Sequence, residues 1–86
     1  MKFSNWLETM ISEKGIDLEE NFTFEDANGA NVMPYGVVIE AAKNASAGEQ
    51  AQIKNTLVMI DFKNGDIKHF LRHLGRGLAA GAGRAF

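Results

Sequence analysis

Apolar positions along the chain recur at helical spacing except over residues 22–33, where apolar and polar residues alternate. Leu7, Met10 and Ile11 share one helix face, Phe3-Ser4 supplies a hydrophobic staple and an N-cap, and Gly15 stands where a left-handed C′ residue is wanted. These signals predict a first helix over Asn5 to Lys14. Phe22-Thr23-Phe24-Glu25 then reads as a strand, Asp26 to Asn31 as a turn cluster, and Val32-Met33 as a short return strand. A two-stranded ribbon is marginal alone in water. It must pack on helices or pair with another chain, and its open edge is a candidate dimer seam.

Pro34 suits the first helical position, and Tyr35 to Lys43 follows as a second helix. Val37, Val38, Ala41, Ala42 and Ala45 give its apolar side little bulk, so another helix can approach closely. Gly36 counts against this helix by about 1 kcal/mol of propensity.

The second half carries the strongest punctuation. Ser46-x-x-Glu49 is a capping-box pattern that opens a third helix, Ala47 to Lys63. Asn64-Gly65 ends it, and Asp66 caps a fourth helix, Ile67 to about Ala80, with Phe70, Leu71, Leu74 and Leu78 along it. Gly75, Gly77, Gly81 and Gly83 weaken that helix, so residues 1–80 read as one globular domain and 81–86 as a flexible Gly/Ala-rich tail. A rival reading makes Leu57 to Phe70 a β-hairpin around Asn64-Gly65, with Lys63 facing Asp66 and Asp61 facing Lys68. The capping box upstream and the lack of alternation in Phe70-Leu71-Arg72-His73-Leu74 favour helices. The expected fold is mainly α within a small α+β class: three to four short helices, one two-stranded β-ribbon and a C-terminal αα-hairpin.

Helix three is the least ordinary element. At 100° per residue Ile53, Leu57 and Ile60 form one apolar stripe, while Ala51, Val58 and Phe62 form a second, with Met59 on its flank. Either the helix is sandwiched inside the monomer or the second stripe meets another copy or another protein. Ala51, Val58, Met59 and Phe62 are therefore the candidate interaction face.

Composition narrows the options. With 86 residues the chain has a thin core, and without cysteine it has neither disulfides nor thiol chemistry. Self-association is the remaining staple for so small a domain. No apolar h-region opens the chain and no apolar run approaches the ~20 residues of a membrane span, so a soluble, cytoplasmic protein is expected. The net charge of −2 hides an asymmetry. Residues 1–40 carry eight acids and two bases, and residues 41–86 carry seven bases and three acids. Such halves either attract one another within a fold or mark a nucleic-acid-binding end, and so few bases favour the first.

Candidate chemistry is sparse. His69 and His73 stand at i, i+4 with Asp66 one turn earlier, a spacing that can hold a divalent ion. Asp66 already serves as a cap and no HExxH accompanies the pair, so no metal site is assigned. Asp61, amid apolar neighbours, would need Lys54 or Lys68 as a partner if buried. No phosphate loop follows a strand and no GxSxG is present, so neither an enzyme nor a cofactor is expected. The aromatics read as core bulk, because acids around Phe22 and Phe24 would repel a nucleic-acid backbone. Lys68, Arg72 and Arg76 recur at i, i+4, i+8 as a candidate basic stripe. The leading expectation is a non-catalytic protein-interaction or regulatory module, homodimeric. The alternative is a small nucleic-acid-binding regulator using that stripe.

Overall fold

The computed structural model of the chain describes residues 2–60 and 64–85. They form, in order, α1 (Phe3–Glu13), β1 (Asn21–Asp26), β2 (Gly29–Pro34), α2 (Tyr35–Lys43), α3 (Ala47–Met59) and α4 (Asn64–Ala85). The expected small α+β class holds, and the β-hairpin alternative for Leu57 to Phe70 does not: residues 57–59 and 64–70 are helical.

Helix α1 begins earlier than expected. Its N-cap is Lys2, without a side-chain cap, and Ser4 lies inside the helix. The earlier start brings Phe3 and Trp6 onto one side, with ring centroids 6.0 Å apart, and both pack against the core. At the other end Gly15 takes φ +68° as expected. Ile16 N–H donates to the Ile11 carbonyl at 3.2 Å and Gly15 N–H to that of Ser12 at 3.1 Å, a Schellman closure that turns Ile16 into the core.

The ribbon runs in antiparallel register from Asn21↔Pro34 to Asp26↔Gly29, so β2 is longer than the Val32-Met33 segment expected. Alternation does as it should: Phe22 and Phe24 are buried, while Thr23 and Glu25 face solvent. No loop separates β2 from α2. Pro34 ends the strand and caps the helix, one position ahead of the N1 place expected for it. The first amides of α2 find partners across the chain, Tyr35 N–H on the Glu20 carbonyl at 3.0 Å and Gly36 N–H on that of Leu18 at 2.8 Å. A Cβ on Gly36 would stand 3.1 Å from the Leu18 oxygen, so the residue that lowers helix propensity is what lets the strand-to-helix corner close.

Helix α2 is the hub, touching α1, α3, α4 and β2, while α4 also packs on β1. Tyr35, Val38, Ile39 and Ala42 are its buried residues, and Leu7, Leu57, Ile67 and Leu71 from the other three helices complete the driest part of the core. Close approach of α4 depends on Gly75. A Cβ there would lie 2.6 Å from the tip of the Phe22 ring and 3.0 Å from a Val38 methyl. The glycine expected to weaken the helix is thus where the helix seats. Asn64 and Gly65 are the first residues of α4 rather than a turn, and the helix continues past Ala80 to Ala85. Among the described residues no buried side-chain polar atom lacks a hydrogen-bond partner.

The two oppositely charged halves meet inside the fold. Lys43 Nζ bridges Glu8 of α1 and Glu40 of its own helix, and Lys68 of α4 holds Glu20 at 3.0 Å.

Candidate functional site

Three faces present side chains that the fold does not fully use. The first is the outer side of α3. Ser46 Oγ accepts from Glu49 N–H at 3.2 Å, so the serine cap of the predicted box is in place. Ile53 and Leu57 point into the core, and Ile60 packs half-buried against it. The helix stops at Met59, short of the expected Lys63, because Ile60 turns to an extended conformation with ψ 150°. Extended backbone suits a β-branched residue, and the turn delivers its side chain to the core. Met59 is left 84% exposed and Val58 55% exposed, with Ala51 exposed on the same helix. A helix sandwiched within the monomer is therefore not observed. Phe62, the fourth residue of the candidate face, lies outside the described residues, as do Asp61 and Lys63. Of the partners considered for Asp61, Lys54 stands 5.4 Å from the centre of the Trp6 ring and Lys68 is bound to Glu20.

The second face belongs to α4, and it differs from the stripe read from spacing. Lys68 donates to both Glu20 oxygens, at 3.0 and 3.1 Å, and lies 6.0 Å from the Tyr35 ring centre. Arg72 Nη1 donates to the buried Tyr35 hydroxyl at 3.0 Å. Two members of the expected stripe are thus engaged by the fold, and Arg76 alone of the three is exposed. The face that α4 turns toward the ribbon is instead His69, Arg72, His73 and Arg76, at i, i+3, i+4, i+7. Across from it stand Thr23 and Glu25 of β1, and between the walls lies a groove of about 400 Å³. The strand alternation put Thr23 and Glu25 on one outward face, but no sequence signal said which helix they would meet.

His69 and His73 also border a hollow of about 380 Å³ toward Ile60, Asp66 and Phe70, so they form the ridge between two depressions. Among the described residues no group of three or more histidine or carboxylate side chains is placed to hold a metal ion. A third, more open surface went unseen in the sequence: Leu18 and Val37 are both exposed beside Pro34, with Glu19 and Glu40 at the rim. No helix among the described residues is long and apolar enough to cross a membrane.

Comparison with protein-family models, with curated proteins and with solved structures gives no match for this chain.

Proposed function

We propose that the chain is a non-catalytic protein-interaction module that pairs with a second copy of itself through the outer side of α3. The observation that carries this reading is Met59, 84% exposed beside a half-exposed Val58 on a helix whose opposite side is already in the core. Full burial of such a side chain is worth roughly 1.5–3 kcal/mol relative to leaving it in water. A second copy is the occupant favoured by size. A chain of 86 residues without cysteine has a thin core and no covalent staple, and association extends the core without either. A cytoplasmic, regulatory role belongs to the same reading. Nucleic-acid binding by α4 has less support, because Lys68 is paired with Glu20 and the remaining bases of the stripe face the Glu25 carboxylate across the groove.

Light scattering across a concentration series tests the proposal. The wild-type chain should show the mass of two copies, and Val58→Glu with Met59→Asp should show that of one with an unchanged helical circular-dichroism spectrum. A wild-type monomer at every concentration overturns it. So does a double variant that unfolds, since that would put the two side chains in the core.

A further inference from the structure

The groove between α4 and β1 has a chemistry that dimerisation leaves unexplained. One wall presents two guanidinium and two imidazole groups from a single helix face, and the other presents the Thr23 hydroxyl and the Glu25 carboxylate. We propose that this groove binds a small hydroxylated phosphate monoester, of the sugar-phosphate class, with the phosphate on α4 and the hydroxyls on β1.

Three observations converge on that ligand. Arg72 and Arg76 are one helical turn apart, and guanidinium forks match the oxygens of a phosphate better than any other side chain does. Arg72 is held in advance: its bond to the buried Tyr35 hydroxyl fixes one N–H and leaves its other donors for a ligand, which lowers the ordering cost of binding. Arg76 is exposed and makes no ion pair among the described residues, so its charge is uncommitted.

Glu25 supplies the selectivity. An ionised carboxylate only accepts hydrogen bonds, so a bare phosphate leaves it facing an anion, while hydroxyls on an attached sugar give it donors. Thr23 can serve those hydroxyls in either sense. A single-stranded nucleic acid fits less well, because its successive phosphates would be carried past Glu25. Size agrees: about 400 Å³ is near the lower end of ligand sites, enough for a phosphorylated sugar and small for a dinucleotide.

The test is a nuclear magnetic resonance titration of the full chain with ribose 5-phosphate, inorganic phosphate and ribose, each against sodium chloride of matched ionic strength. Saturable shifts at Thr23, Glu25, His69, His73 and Arg76 are expected with ribose 5-phosphate, weaker ones with phosphate, and none with ribose. Arg76→Ala should weaken ribose 5-phosphate binding about tenfold, the loss of one charge-assisted contact, with the spectrum otherwise intact. Glu25→Gln should shrink the preference for ribose 5-phosphate over phosphate. The proposal is overturned if chloride reproduces the shifts, if Arg76→Ala leaves the affinity unchanged, or if a single-stranded oligonucleotide displaces the sugar phosphate at far lower concentration. None of these readouts depends on whether the chain is a dimer.

Discussion

Helices α2 and α3 are neighbours in the chain and opposites in the fold. With nine residues α2 buries Tyr35, Val38, Ile39 and Ala42 and touches three helices and a strand. With thirteen residues α3 buries only Ile53 and Leu57 and leaves Val58 and Met59 in solvent. Apolar residues are denser on α2, but their spread does not separate the two helices, since both carry them around more than one side. Position does. The short helix is fed directly by β2, so every other element folds around it, while α3 meets the body along one stripe. Central placement favours small residues, and the alanines of α2 are what a crowded helix requires.

The sharpest way to break this contrast is one truncation on each helix. Ile39→Ala should cost about 2–5 kcal/mol of stability, because it opens a cavity where neighbours on several elements cannot all collapse. Val58→Ala should stay within about 0.5 kcal/mol in the monomer. Urea denaturation with an unchanged slope reads both. Equal losses would mean that α3 is buried on both sides after all.

A second pair of substitutions probes where α4 rests on the hub. Gly75→Ala should destabilise by about 1–3 kcal/mol, as the new methyl overpacks Phe22 and Val38. The same change at Gly77, where a Cβ would meet nothing within 4 Å, should stabilise by about 0.5–1 kcal/mol through helix propensity. Opposite signs two residues apart on one helix are the expected result in thermal or urea melts. If both substitutions stabilise, the tight seating at Gly75 is wrong.

That pair also marks the boundary of what could be read from residues alone. Local signals carried well: the alternation of Phe22 to Glu25, the left-handed Gly15 and the Ser46 cap all depend on neighbours in sequence. What failed was decided by distant groups. Gly75 has helix-weakening chemistry and a packing role that only Phe22 and Val38 reveal, and Asn64-Gly65 gives a turn signal that α4 overrides by extending through it. The basic residues show the same limit. Spacing placed Lys68, Arg72 and Arg76 on one stripe, but Glu20 takes the charge of Lys68 and Tyr35 fixes where Arg72 is held. The groove was invisible because its second wall comes from a strand some fifty residues away in the chain.

Smaller effects should follow where α3 is merely attached. Ser46→Ala removes the acceptor for Glu49 N–H and should cost about 1 kcal/mol. Because α3 sits at the margin of the fold, native-state hydrogen exchange should report much of that loss as faster opening of α3 alone, with α2 amides little changed. Uniform acceleration in both helices would tie α3 to the hub more firmly than its one-sided burial implies.

The weakest expected effect lies at the end of α2, where Lys43 joins the hub to α1. Its ammonium donates to Glu8 and to Glu40, and the Glu8 bond, with Glu40 adding to it, raises the lysine above its ordinary value of 10.5 while partial burial works in the opposite direction. The sign follows from linkage. A lysine raised on folding holds its proton more tightly in the native state, so its contribution is complete below about pH 10.5 and fades as pH climbs through the higher native value. Both carboxylates are more than half exposed, with side-chain accessibilities of 59% and 69%, so water and salt screen the pair and the contribution stays below about 1 kcal/mol. The informative quantity is a difference between two chains measured side by side. Wild type and Lys43→Met, compared by urea denaturation from neutral pH to beyond 11 in low salt, should converge in stability as the pH rises. A gap that stays constant would make the charge of Lys43 incidental to the seam between α1 and α2.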